Sequence, residues 1–246
     1  MFTSEEYCKK LFVAAEQITN HDRQRINVLL EGRKINHLLH FTDSDNLISI
    51  LNYGVLNRDS LIAQKFNFKF SDSERRDLLT NTISLSLAYP NSKMLHMKKT
   101  LDQNRVFVVL EISLNILYEK NSRYIWMPGN AARQDIKKDA WTYPHKYVGM
   151  TGAARMFPPK DLRQEQNISS AIPLDIQAEI MFHDPIGPSK IQRIHCQNTL
   201  KTVKPNIAMY LAEHFPKISI CNNCKDRAFL KFPLPWHKEF KIENET

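Results

Sequence analysis

Apolar and polar positions along the chain predict short strands and helices in mixed order. Apolar residues recur with helical spacing through residues 4–32. Residues 37–41 form a short apolar strand. A helix follows, capped by Asp43 or Ser44 and stopped by Gly54. The first quarter of the chain is therefore predicted to bring one strand directly to a helix N-terminus.

Four further strands follow from different apolar patterns. Residues 83–87 alternate strictly, which is typical of a half-buried strand. Residues 106–112 are continuously apolar and rich in β-branched side chains, as in a central strand. Residues 178–182 and 191–196 are strands separated by a turn rich in Pro and Gly, and residues 206–215 have helical spacing.

The order of these elements favours an α+β fold, because regular βαβ crossovers are missing from the pattern. Residues 121–170 have mixed character, with an amphipathic patch at 147–157. We expect one domain over 1–246, with a core at about 33–198, an N-terminal helical segment at 1–32 and a C-terminal extension at 199–246.

Composition narrows the class of protein. The chain has 246 residues, of which 42% are hydrophobic, and this is enough to bury a core. A net charge of +8 favours a polyanionic partner such as nucleic acid, or an anionic cofactor. Only six glycines are present, so a Gly-rich phosphate loop is not expected. The N-terminus lacks a signal pattern and no apolar run reaches membrane-spanning length, so a cytoplasmic location is expected.

Glu179 interrupts an otherwise apolar strand and is the first candidate catalytic residue. Burial penalises the charged form of a carboxyl group, so such a residue is either paired or used. The alternative is a glutamate on an edge strand that faces solvent.

His40 and Thr42 alternate to the same face of the strand that precedes a helix N-terminus, where an anion is favoured. A core histidine bound to backbone is the alternative for His40. Arg75 and Arg76, in the polar stretch 57–80, are candidates for binding a pyrophosphate in bidentate fashion; the alternative is a solvated charge run.

A basic helix predicted from Lys93 to Lys99 mixes cations with aromatic residues. Single-stranded nucleic acid is bound by such a combination of charge neutralisation and stacking, although a plain basic helix fits equally well. The candidate residues are Lys93, Lys98, Lys99 and Arg105 with Tyr89 and Phe107. A single CxxC, Cys221 to Cys224, lies near Cys196, His195 and His214 but gives only half of a zinc site, so no metal is expected.

Five segments together resemble the DarT-type DNA ADP-ribosyltransferases. In order, they are HFTDSDNLISILNYGVL at 40–56, ISLSLAYPNSKM at 83–94, VFVVLEISLNILYEK at 106–120, GNAA at 129–132 and IPLDIQAEIMFHDPI at 172–186. The resemblance covers residues from about 37 to 194. It departs from the family pattern at Ile176, where proline is expected, and the C-terminal extension matches nothing in the family.

The resemblance implies a split mixed β core flanked by helices that binds NAD⁺ as co-substrate without a Rossmann motif. Glu179 matches the catalytic glutamate. Arg76 matches the arginine near the phosphates, with Arg75 as a close rival. The implied cofactor-binding residues are His40, Thr42, Asn46, Gly54 and Arg76.

The implied activity is NAD-dependent ADP-ribosylation of a base in single-stranded DNA, and the strand at 83–94 resembles the branch that modifies guanine rather than thymine. A toxin or phage-defence effector of this kind implies a cognate antitoxin that removes ADP-ribose, and we expect a monomer that does not enter membranes. Two alternatives stay open: a non-catalytic, basic nucleic-acid-binding protein, and a transferase with RNA or protein as acceptor.

Overall fold

The computed structural model describes residues 3–70, 74–157, 170–196 and 198–222. Its strands are β1 His37–Asp43, β2 Ile83–Leu87, β3 Phe107–Ser113, β4 Tyr124–Met127, β5 Glu179–Phe182, β6 Ile191–Cys196 and β7 Ser219–Cys221. Its α-helices are α1 Ser4–Ala15, α2 Asn20–Gly32, α3 Leu47–Tyr53, α4 Arg58–Ala63, α5 Ser92–Leu101, α6 Gln134–Thr142, α7 Gly149–Met156, α8 Leu200–Val203 and α9 Pro205–His214. Short 3₁₀ helices lie at Ser44–Asn46, Leu114–Leu117, Pro144–Tyr147 and Pro188–Lys190.

The strands form one mixed sheet in the order β4-β5-β2-β1-β3-β6-β7. Neighbouring strands are antiparallel except β6 and β7, which are parallel. The α+β prediction is therefore confirmed. Strands β1 and β2 share only two aligned residue pairs, Leu38–Leu87 and Leu39–Ser86, whereas β1 pairs with β3 along its whole length. Past Leu39, a gap opens in the sheet between β1 and β2.

Both faces of the sheet are covered at β1. Successive side chains of a strand point to opposite faces, and Leu38 and Leu39 are both buried. Leu38 is fully buried in the larger core, which also takes in α1, α2 and α7. Its neighbour Leu39 points to the opposite face and packs with Leu95 of α5 and Val109 of β3. The sheet is thus covered on both sides where it carries the gap.

The N-terminal helices are fixed to the rest of the fold by polar contacts as well as by packing. Capping boxes begin α1 at Thr3 and α2 at Thr19. Arg23 of α2 is buried, and its guanidinium donates to the backbone carbonyls of Leu117, Lys120 and Ser122, 2.9–3.1 Å away. A buried guanidinium is tolerable only with such partners.

The predicted strands and helices are confirmed with small shifts of their ends, whereas several elements were not predicted, among them the short helices α4 and α8. All four residues of β4 are buried, so apolar and polar residues do not alternate along it and the sequence does not mark it as a strand. Helix α6 is mostly polar, and β7 has three residues. Residues 158–169, at the end of the mixed stretch 121–170, lie outside the described residues.

Candidate active site at the gap between β1 and β2

A cleft of about 1300 Å³, measured out to its open mouth, lies at the gap between β1 and β2. Its floor is formed by His40, Ser84 and Glu179 from β1, β2 and β5. One wall comes from α3, α4 and the residues that follow α4, and Asn91 and Met94 at the start of α5 also line it. The segments at 40–56 and 172–186, far apart in sequence, therefore meet in one cavity.

Glu179 begins β5 at the bottom of this cleft, and only 8% of its surface is exposed. Its carboxylate accepts a hydrogen bond from the Ser84 hydroxyl on the neighbouring strand. The other carboxylate oxygen accepts from the backbone N–H of Ala131, 3.2 Å away. The solvent-facing alternative for this glutamate is thus excluded.

The surroundings of Glu179 act on its ionisation in opposite directions. Burial raises the pKa of Glu179 to about 7, and the nearby Asp77 carboxylate adds to this rise. The hydrogen bonds from Ser84 and Ala131 and the charge of Arg75 lower the pKa, but they only partly offset burial. A carboxyl group balanced near neutrality can both hold and release a proton at physiological pH.

His40 lines the same cleft and has a defined tautomer. Its Nδ1 is 3.0 Å from the backbone oxygen of Ser84. Because a carbonyl oxygen only accepts, Nδ1 must carry the proton. Burial, assisted by the charge of Arg75, lowers the pKa of His40, so the ring is neutral near pH 7. Its Nε2 is then a hydrogen-bond acceptor.

Ser84 connects these two groups and was not singled out from the sequence. Its backbone oxygen accepts from His40 and its hydroxyl donates to Glu179, so one residue of β2 orients both side chains. A signal was available, since Ser84 and Ser86 are the polar positions of an otherwise apolar strand.

The remaining predicted cofactor residues lie at different depths. Thr42 is buried and is not part of the cleft lining; its hydroxyl accepts a hydrogen bond from the Asn46 amide at 3.1 Å. Asn46 and Gly54 both line the cleft. Gly54 has φ +90°, and a Cβ there would lie 2.3 Å from the backbone oxygen of Ile186, so only glycine fits.

The structure reverses the expected order of the two arginines. Arg75 lines the cleft with 13% of its side chain exposed. Its guanidinium is anchored by an ion pair with Asp77 at 3.2 Å and by donating to the Thr82 hydroxyl at 2.9 Å. Arg76 has 76% of its side chain exposed, pairs with Glu74 and does not line the cleft. The geometry of the cleft therefore favours Arg75 over Arg76 as the residue near a bound pyrophosphate, and this role stays a prediction.

The predicted nucleic-acid residues lie in different environments, and their role stays a prediction. Lys93 is exposed on α5, Lys98 and Lys99 are half-buried, and Tyr89 is half-buried in the turn before this helix. The basic helix thus starts at the cleft. Two other residues do not belong to such a surface. Phe107 is buried in the smaller core, and Arg105 is bound to Asp43 at 2.7 Å.

Within the described residues, no group of three or more His, Cys, Asp or Glu side chains is arranged to hold a metal ion. Cys196 is buried and Cys224 lies outside the described residues. Among the described helices, none combines the length and apolar character needed to cross a bilayer.

Solved structures with a similar fold include "Thermosipho africanus DarTG in complex with ADP-ribose" (TM-score 0.51, 16% identity, 76% of this chain and 50% of that one). Another is "Thermus sp. 2.9 DarT in complex with NAD+" (TM-score 0.46, 15% identity, 76% and 94%). A third is "Thermus sp. 2.9 DarT in complex with ADP-ribosylated ssDNA" (TM-score 0.47, 15% identity, 76% and 93%).

At such identities the likeness concerns the fold alone, and the present chain spans half the length of the Thermosipho chain. No curated protein matches the chain. A family model described as "ssDNA thymidine ADP-ribosyltransferase, DarT" matches residues 39–224, a span that contains every strand of the sheet except the first two residues of β1. The match continues past residue 194 into the first part of the C-terminal extension, so the expectation that the extension matches nothing in the family is wrong for residues 199–224. Because this model matches well over half of the residues, the chain belongs to the DarT family.

Proposed function

We propose that this protein is an NAD⁺-dependent mono-ADP-ribosyltransferase that modifies a base in single-stranded DNA. The observation that carries the proposal is the buried Glu179 at the floor of an open cleft, with its pKa raised to about 7 by burial. Membership of the DarT family supports the same reaction class.

The residues of the cleft fit a dinucleotide. The Arg75 guanidinium supplies a held positive charge for a pyrophosphate, a role that glycine-rich loops play in other folds. The neutral His40 offers an acceptor nitrogen suited to a ribose hydroxyl or an amide N–H. When bound, NAD⁺ supplies the ADP-ribosyl group and releases nicotinamide.

Glu179 acts at the point where positive charge develops on the ribose. Its ionised form stabilises that charge through a fixed negative group in a site of low polarity, which is usually the largest catalytic effect. It also accepts the proton of the attacking base nitrogen, and a pKa near neutrality suits this exchange. Ser84 and the N–H of Ala131 hold the carboxylate in one orientation.

The acceptor base must reach a floor set below the rim of the cleft, so it has to be unstacked and unpaired. Helix α5, with Lys93, Lys98 and Lys99, starts beside the cleft and is the proposed track for the DNA backbone. We keep guanine as the predicted target on the resemblance of residues 83–94, against the thymidine of the family's description.

The proposal is tested by incubating the protein with NAD⁺ and single-stranded oligonucleotides that differ in base content, and measuring intact masses. We expect a mass gain of one ADP-ribosyl unit that depends on guanine. A gain that depends on thymine would correct the target base and keep the reaction.

The same assay, together with a measurement of DNA binding, separates the alternatives. Mass gain on RNA or protein but not on DNA would move the acceptor. DNA binding that weakens with salt and does not change when Glu179 or His40 is replaced, without any transfer, would favour a non-catalytic binding protein.

An enzyme that attaches ADP-ribose to DNA bases would be toxic to the cell that makes it. We therefore propose a toxin or phage-defence role in the cytoplasm, with a cognate antitoxin that removes ADP-ribose. A monomer is sufficient for this role, since the proposed reacting groups His40, Arg75 and Glu179 all come from one chain.

Replacing Ser84 by Ala is predicted to shift the acidic limb of the rate–pH profile to higher pH. The Ser84 hydroxyl lowers the pKa of Glu179, so its loss raises that pKa further. Transfer is expected to fall about tenfold at pH 6 and to recover as the pH rises. Ser84→Thr, which keeps a hydroxyl, should restore the profile, and an unshifted Ser84→Ala profile would refute the role of this hydrogen bond.

A further inference from the structure

One wall of the cleft is a segment without helix or strand, here called the strap, residues 64–70, with the sequence QKFNFKF. Phe68, Lys69 and Phe70 line the cleft. The rings of Phe68 and Phe70 meet edge to face with their centroids 4.5 Å apart. A wall of this kind has no ladder of backbone hydrogen bonds of its own, so its position must be set by other contacts.

Asn46 supplies the most complete of these contacts. Its side-chain Nδ2 donates to the backbone oxygen of Lys69 at 2.9 Å, and its Oδ1 accepts from the backbone N–H of Lys69 at 2.8 Å. The same Nδ2 donates to the Thr42 hydroxyl at 3.1 Å. Both amide protons are therefore used inside the protein. The amide side chain thus bonds to both backbone groups of Lys69, as a neighbouring strand would, and links the strap to the end of β1 through Thr42.

Two further supports hold the same end of the strap. Arg105 donates to the backbone oxygen of Phe70 at 2.8 Å. The ammonium of Lys69 contacts Asp45 at 2.5 Å, and Lys204 of the C-terminal segment contacts the other oxygen of Asp45 at 2.6 Å. Exposed ion pairs contribute little to stability, so the main restraint comes from hydrogen bonds to the backbone of the strap, of which Asn46 makes two and Arg105 makes one.

We propose that Asn46 is a positioning residue, which fixes the strap as a preformed wall of the dinucleotide site and does not itself bind the dinucleotide. This inference rests on the proposed function, since it assigns the strap to NAD⁺ binding. A preformed wall strengthens binding because the cost of ordering seven residues is met during folding.

The test compares Asn46→Ala with Asp45→Ala, which removes the ion pairs and leaves the backbone bonds to the strap intact. Chymotrypsin cleaves after Phe66, Phe68 and Phe70, so fragment masses report directly on the freedom of the strap. For Asn46→Ala we expect cleavage there to be at least tenfold faster without NAD⁺. NAD⁺ affinity is expected to be about tenfold weaker, and the single-turnover rate at saturating NAD⁺ within about twofold of wild type. Asp45→Ala should stay within about twofold in all three measurements.

Wild-type cleavage with weakened NAD⁺ affinity in Asn46→Ala would overturn the proposal, because it would mean a direct contact with the dinucleotide. Faster cleavage with unchanged affinity would also overturn it, since the strap would then not belong to the binding wall. Asn46→Asp, which keeps an acceptor but loses both donors, provides a second variant if Asn46→Ala unfolds, as judged by thermal melting. If the wild type fails to bind NAD⁺, the proposed function is refuted, while the cleavage rates still decide whether Asn46 fixes the strap.

Discussion

Replacing Glu179 by Gln is expected to lower the rate of ADP-ribosyl transfer by about a thousandfold or more, with the fold retained. The amide keeps the size of the carboxyl group but has neither its negative charge nor its basicity, and both are needed at the reacting ribose. Single-turnover transfer to an oligonucleotide at saturating NAD⁺ is the measurement.

A matched control comes from Glu111 of β3, another glutamate in the sheet. It contacts His37 and His195 at 3.1 and 3.3 Å and is not part of the cleft lining. Glu111→Gln should transfer within a few fold of wild type. If a folded Glu179→Gln protein transferred as well as Glu111→Gln, the catalytic role of Glu179 would be lost.

Glu179→Gln is also expected to change how the free energy of unfolding depends on pH. The pKa of Glu179 is raised from 4.5 to about 7 in the folded protein, so the folded state binds the proton more tightly than the unfolded state. The contribution of this group to the free energy of unfolding is therefore complete below about pH 4.5. It declines by about 3 kcal/mol as the pH rises through 7. Denaturant titrations should show this decline in the wild type and a smaller one in Glu179→Gln.

Arg75→Ala is expected to weaken NAD⁺ binding by about tenfold to a hundredfold, whereas Arg76→Ala changes it by less than about threefold. Arg75 is anchored inside the cleft and presents its charge there, and an ion pair in a partly dry site is worth far more than an exposed one. Arg76 is exposed beside Glu74, outside the cleft. Calorimetric titration with NAD⁺ measures both.

The two arginines are adjacent, so each variant is the control for the other in net charge and local sequence. Arg75→Lys keeps the charge but loses the planar donor geometry, and an intermediate affinity is expected. A larger loss for Arg76→Ala than for Arg75→Ala would restore the sequence-based preference and contradict the geometry of the cleft.

Much of the fold could be predicted because its longer strands carry clear patterns. The alternation at 83–87 and the apolar run at 106–112 each specify a strand without help from the rest of the chain. Strand β4 could not be predicted in this way. Its four residues lie between β5 and the helices, and burial on both faces removes the alternation that marks a strand.

The site could be predicted to the level of single residues but not of their partners. Glu179 is conspicuous as an acid in an apolar strand, yet its link to His40 runs through Ser84, which only the pairing of β2 with β5 brings close. Arg75 and Arg76 are indistinguishable by composition. In the folded protein, Arg75 has a backbone φ of +45°, and its guanidinium is held in the cleft by Asp77 and Thr82. Neither feature can be read from the two adjacent arginines in the sequence.

The gap between β1 and β2 divides the sheet into two blocks that share only two aligned residue pairs, fewer than any other pair of neighbouring strands in the described sheet. His40 belongs to one block and Glu179 to the other, so the proposed reacting groups lie on either side of the shortest strand pairing in the described sheet. A slight relative tilt of the blocks alters their separation without breaking either block. We therefore expect substitutions deep in either block, far from the cleft, to lower turnover before they measurably lower the free energy of unfolding.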